Sequence, residues 1–181
     1  MCGITGWIGA DIGATDTLGR MALAIAHRGP DGFGEKFLPH ASGGVAAFGH
    51  RRLAIIDPAG GAQPMQSHDG RFTVIFNGEI YNYVELRDEL REVGATFATR
   101  SDTEVILEAW RYWGKESLLK FRGMFAFALH DAKSRDVVLA RDPFGKKPMF
   151  WCSAARETER RIVFGSEIQA LLSHPGVTAD I

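Results

Sequence analysis

Met124-Phe-Ala-Phe-Ala-Leu129 alternates its side chains, yet neither set is polar. In an extended chain Phe125, Phe127 and Leu129 take one face, and Met124, Ala126 and Ala128 take the other. A strand apolar on both faces has to be covered on both sides. Working outward, Cys2–Gly9, Val45–Phe48, Leu53–Ile56, Phe72–Phe76, Val137–Ala140, Met149–Trp151 and Ile162–Phe164 carry the β-branched and aromatic content of further strands. Helical spacing appears between them. Leu18, Met21, Ala22 and Ile25 follow Asp16, a candidate cap. Tyr83, Leu86, Leu90 and Val93 run to Gly94, and Val105, Ile106, Ala109, Trp110 and Trp113 run to Gly114. Glu167–Ser173 reads as a short last helix before Pro175. A layered α+β fold follows, and two packed sheets with helices outside is one arrangement that satisfies it.

The chain has 181 residues, enough for one domain with a sizeable core. Its 45% hydrophobic and 24% charged fractions are those of a globular protein rather than a disordered one. A net charge of −1 argues against nucleic acid or an anionic membrane as partner. No apolar run approaches the roughly 18 residues of a membrane span. Met1-Cys-Gly-Ile4 has neither the basic nor the apolar region of a signal peptide. Two cysteines, Cys2 and Cys152, are too few for a disulfide framework, so a cytoplasmic location is expected.

Four stretches could carry chemistry. If Met1 is removed, Cys2 places a thiol and a free α-amine on one residue. With unperturbed pKa values near 8 and 8.5, the amine can act as base for its own side-chain nucleophile. Phe76-Asn-Gly-Glu-Ile-Tyr-Asn82 contains Asn-Gly, a hairpin-turn signal. Turn duty alone leaves Glu79 and Asn82 unexplained. The other reading is a loop that points the Asn77 amide and the Gly78 N–H at one oxygen, as an oxyanion hole requires. His50-Arg-Arg52 places two adjacent cations on a strand. Arg100-Ser-Asp-Thr-Glu104 is at least a helix cap, through Ser101 or Asp102.

Other features invite a role and do not support one. Ser42-Gly-Gly-Val45 lacks the Asp and Ser that complete a pyrophosphate loop, since Ala46 and Ala47 stand there. Gly145-Lys146 has no Walker context. The six His have no metal-ligand spacing, so no metal site is expected. Cys152, Trp110 and Trp113 read as core residues.

Taken together, Cys2-Gly-Ile, His27-Arg-Gly-Pro-Asp-Gly32, Arg52-Leu-Ala-Ile-Ile-Asp57, Asn77-Gly-Glu-Ile-Tyr-Asn82, Ser101-Asp-Thr-Glu104, Gly123-Met-Phe-Ala-Phe127, Arg141-Asp-Pro-Phe-Gly145 with Lys147-Pro148, and Gly165-Ser-Glu167 closely resemble the glutaminase domain of class II glutamine amidotransferases, which are N-terminal-nucleophile hydrolases. Asn77–Asn82 and Phe144–Pro148 resemble the asparagine synthetase branch in particular. The resemblance covers nearly the whole chain. It implies a four-layer αββα sandwich of two mainly antiparallel sheets. It implies Cys2 as nucleophile, its freed amine as base, and Asn77 with Gly78 as oxyanion hole. Arg52 would bind the glutamine α-carboxylate, while Glu79 and Asp102 would accept from the α-ammonium. It also implies a synthetase domain, in cis or in trans, that carries ATP and Mg. None of that domain lies within residues 1–181, so no cofactor is expected here. The chain ends near or slightly before the usual end of the glutaminase domain, whose last element could be missing. A homodimer, a different acceptor, or a module that binds glutamine without hydrolysing it stay open.

Overall fold

A computed structural model describes residues 1–9, 14–156 and 159–179 of the protein. The described strands are β1 (Gly3–Gly9), β2 (Gly32–Pro39), β3 (Val45–Arg52), β4 (Met65–Gln66), β5 (Phe72–Ile80), β6 (Gly123–Asp131), β7 (Val137–Arg141), β8 (Phe150–Arg156) and β9 (Glu159–Gly165). The helices are α1 (Ala14–Ala24), α2 (Tyr83–Glu92), α3 (Asp102–Trp113), α4 (Ser117–Lys120) and α5 (Ile168–Leu172). The strands form a five-stranded sheet, β2-β3-β1-β9-β8, and a four-stranded sheet, β4-β5-β6-β7. Neighbouring strands in both sheets are antiparallel. Among the described residues, no helix is long and apolar enough to cross a membrane.

The two faces of β6 explain the layering. Phe125, Phe127 and Leu129 pack with Leu86, Leu90, Ile106 and Trp110 under α2 and α3. Ala126 and Ala128 face the other way and meet Ile4, Phe48 and Phe164 of the five-stranded sheet, with Ile75 beside them. Small side chains on that face let the two sheets approach. A third cluster, Trp7, Ala47 and Val163 with Leu18, Met21 and Leu171, lies under α1 and α5. The order is therefore helices, sheet, sheet, helices, the expected αββα sandwich. Trp110 is core, and Trp113 packs against the same cluster.

Three local readings are corrected and one strand is added. Leu53–Ile56 is not a strand but a loop. Its first two N–H groups go to side chains, Leu53 to Cys2 Sγ and Ala54 to Asp31 Oδ2, rather than to a neighbouring strand. Gly32–Pro39, unforeseen, is the edge strand β2. Asp16 lies inside the first turn of α1 and pairs with Arg20 instead of capping. Asn77-Gly78 makes no turn, because β5 runs straight through it to Ile80, with Asn77 opposite Ala126 and Gly78 opposite Phe125.

Candidate active site

The start of β1, the end of β3, the second half of β5 and the start of α3 meet around one pocket. Cys2, Arg52, Asn77, Gly78, Glu79 and Asp102 all line it. β1 is the central strand of its sheet, and residues from two later segments hold its start. Arg28 Nε donates to the Cys2 carbonyl at 3.0 Å, and Arg28 Nη1 pairs with Glu167 at 2.8 Å. The Ile4 N–H donates to Ser166 Oγ at 3.0 Å, and the Ser166 N–H returns to the Ile4 carbonyl. The His27–Gly32 and Gly165–Glu167 motifs thus fix the backbone of Cys2. Its sulfur accepts the Leu53 N–H at 3.4 Å and donates to the Leu53 carbonyl at 3.5 Å.

Alternation along β3 separates the two adjacent arginines. Arg51 points to the outer layer, donating to the Ala22 carbonyl at 3.0 Å and lying over the Phe33 ring. Arg52 turns to the pocket. Its Nη1 and Nη2 donate to the Pro58 and Asp57 carbonyls at 2.7 and 2.8 Å. A guanidinium has five N–H donors, so three remain for a ligand. Gly61 makes room for it: a Cβ there would sit 2.6 Å from Arg52 Nη2.

Asn77 is 1% exposed, and among the described residues its Nδ2 has no hydrogen-bond partner. A buried donor left unmade costs about 1–3 kcal/mol, so its retention calls for a reason. On β5, Phe76 N–H donates to Gln63 Oε1 at 2.6 Å and Ile80 N–H donates to Asp102 Oδ2 at 3.1 Å, both away from β6. Gly78 lies midway, and the two-residue period turns its N–H to the same edge. A Cβ at Gly78 would fall 2.2 Å from the Met124 carbonyl, so only glycine lets β5 and β6 pair here.

Asp102 opens α3, and Ser101 caps it by accepting the Thr103 N–H. Asp102 is 4% exposed. Burial pushes its pKa up to about 6; the Ile80 N–H acts against that, and the nearby Glu79 charge adds to it. Behind the site His50 Nε2–H donates to the Phe76 carbonyl at 3.1 Å and ties the sheets together. Burial lowers its pKa to about 4, so it stays neutral.

Three pocket residues had no assigned role in the sequence. Gln63 accepts from Phe76 N–H and donates to Thr103 Oγ1, holding β5 and α3 together. Met1 is one wall, and its Sδ accepts from Lys147 Nζ at 3.2 Å. Lys147 is aimed inward because Asp142 gathers the N–H groups of Phe125, Phe144, Lys146 and Lys147 into one bracket. Burial and the Arg28 guanidinium hold the Lys147 ammonium below its usual pKa, against the pull of Cys2, Glu79 and Asp142. The bracket gives the Arg141–Pro148 motif a physical meaning that its spelling alone did not. Among the described residues no group of three acidic, His or Cys side chains could hold a metal ion.

The glutamine amidotransferase domain model matches residues 1–181, the whole chain. The chain belongs to the glutamine amidotransferase family. It is 39% identical over 189 residues to asparagine synthetase [glutamine-hydrolyzing] 3 of Bacillus subtilis, covering 100% of this chain and 29% of that protein. It is 43% identical over 153 residues to asparagine synthetase [glutamine-hydrolyzing] 1 of the same organism, covering 84% of this chain and 23% of the relative. The chain therefore spans under a third of the length of these relatives. A solved glutamine phosphoribosylpyrophosphate amidotransferase of B. subtilis superposes with a TM-score of 0.76 at 23% identity, over 95% of this chain and 43% of that one. That likeness fixes the amidotransferase fold, in agreement with the four layers described above.

Proposed function

We propose that this domain hydrolyses glutamine to glutamate and ammonia, with Cys2 as nucleophile once Met1 is gone. The freed α-amine takes the thiol proton, and sulfur adds to the γ-carboxamide carbon. The oxyanion that forms is held by Asn77 Nδ2–H and the Gly78 N–H. The C–N bond then breaks, and the amine returns its proton to the departing ammonia. Water cleaves the γ-glutamyl thioester, releasing glutamate and the thiol. The observation that carries this reading is the buried, unpartnered Asn77 amide in the same pocket as Cys2. A coupled assay for glutamate and ammonia tests it, run beside an intact mass that reports the loss of Met1. Glutamine bound without ammonia release by the des-Met protein would make this a binding module instead.

The relatives, asparagine synthetases, support a destination for the ammonia. In this reading a synthetase domain, in cis or in trans, uses ATP and Mg to activate a carboxylate and receives the ammonia, with aspartate as the acceptor. Another acceptor remains the alternative.

Two outcomes check the recognition of glutamine. Arg52→Ala should raise the KM for glutamine roughly 10- to 100-fold with kcat little changed, the worth of a charge-assisted carboxylate contact. Arg51→Ala should leave both constants near wild type, because that side chain is spent on Ala22 and Phe33. The reverse pattern would move the carboxylate site by one residue. The second outcome concerns pH. Asp102 takes the substrate ammonium only when ionised, and its pKa is raised to about 6. KM should therefore be flat above pH 7 and climb as pH falls below about 6, approaching tenfold per unit once the acid form dominates. In Asp102→Asn that climb should vanish from an already high KM.

A further inference from the structure

Asp57 stands where the loop after β3 doubles back, with a left-handed φ of +47° that aspartate tolerates better than most residues. Its carboxylate is used twice: Oδ1 accepts the Gly60 N–H at 2.9 Å and Oδ2 accepts the Arg100 N–H at 2.8 Å. These two N–H groups hold its carboxyl below the usual carboxylate range. Its backbone carbonyl also accepts twice, from Arg52 Nη2 at 2.8 Å and from the Gly61 N–H at 2.9 Å. One residue thereby touches the guanidinium of Arg52 and, 43 positions along the chain, the backbone just ahead of Ser101 and Asp102. That backbone leads into the cap of α3, so a displacement of Arg100 passes to Asp102. The contact has no slack. A Cβ on Gly60 would lie 2.4 Å from Asp57 Oδ2.

We infer that Asp57 is a specificity-determining positioning residue: by bridging Arg52 to the Arg100–Asp102 segment it sets the spacing between the cation and the carboxylate of the pocket, and so selects an α-amino acid amide over an amide without the amine. The inference rests on the substrate reading above, in which Arg52 meets the α-carboxylate and Asp102 the α-ammonium. A ligand that uses only Arg52 is indifferent to that spacing. A ligand that spans both groups is not.

The test compares two ligands by titration calorimetry in a Cys2→Ala background, where neither is consumed. One is L-glutamine. The other is glutaramate, which keeps the carboxamide and the carboxylate and lacks the α-amine. The parent should bind L-glutamine the more tightly. Asp57→Asn leaves the side-chain shape and removes the charge that gathers both N–H groups. Gly60→Ala keeps the charge and pushes the carboxylate off its position. Both should lower the L-glutamine preference roughly tenfold, by weakening L-glutamine far more than glutaramate. A structural role alone would weaken both ligands in parallel, and an unchanged ratio in either folded variant overturns the assignment. If the parent itself binds the two ligands equally, the ammonium site fails and the inference falls with it. That result is distinct from a discriminating parent whose variants discriminate equally well.

Discussion

Cys2→Ala is expected to reduce glutamine hydrolysis to background, a fall on the order of 10⁴-fold or more, while glutamine still binds. The substitution removes the atom that forms the thioester in the proposed mechanism and leaves Arg52, Glu79 and Asp102 in the pocket. The second thiol cannot substitute for it. Cys152 lies on β8, the strand at the edge of its sheet, and packs against the Trp7 cluster on the face away from the other sheet. Burial pushes its thiol pKa up, which lowers the fraction present as thiolate. Ammonia release measured beside calorimetric binding separates the two properties. Cys152→Ala should be silent in both, and an electrophilic glutamine analogue should label Cys2 alone on peptide mapping. Substantial turnover by folded Cys2→Ala would sink the mechanism and leave the fold untouched.

The legible parts of the molecule were those where local pattern and tertiary setting agree. The Met124–Leu129 alternation announces a strand covered on both faces, and the helical stripes of α2 and α3 sit where their spacing places them. The misreadings have physical causes. Leu53-Ala-Ile-Ile56 has the composition of a strand, but among the described residues none of the strands pairs with it. Its N–H groups serve Cys2 and Asp31, and Ile55 is 70% exposed. Gly32–Pro39 was not foreseen as a strand, and Gly34 and Pro39 interrupt its pattern. Gly34 is there because the Gln63 carbonyl would lie 2.0 Å from a Cβ. Asn77-Gly78 spells a turn, and pairing with β6 overrides it. Of the residues lining the pocket, Cys2, Arg52, Asn77, Gly78, Glu79 and Asp102 were singled out in the sequence. Asp57 and Gln63 were not, because their work is done on backbone N–H groups contributed by distant segments. No spacing rule in a single sequence relates Asp57 to Arg100.

Asn77→Ala should lower kcat by about 10²–10³ with little change in KM, the cost of one oxyanion-hole donor, or roughly 3–4 kcal/mol. In the proposed mechanism the charge its amide meets exists only in and after the transition state, so its loss should appear in turnover rather than in substrate affinity. The resting structure supports that division. Among the described residues Asn77 Nδ2 has nothing to donate to, so the donor would have no partner to surrender when the oxyanion forms. Its surroundings also keep it from relaxing: β5 is paired with β6 along its length, and His50 and Gln63 fix the neighbouring Phe76 from two sides. Alanine removes an unsatisfied buried group, which by itself relieves a cost. The melting temperature should therefore hold or rise slightly while turnover collapses, and a residue that merely supported the strand would show the opposite. Asn77→Asp sharpens the test, since it keeps the shape and faces a developing oxyanion with an acceptor. It should be at least as inactive as the alanine variant, by steady-state kinetics on protein shown folded by thermal melting. Near-normal kcat in folded Asn77→Asp would remove this side chain from the oxyanion hole and leave the Gly78 N–H as its only donor.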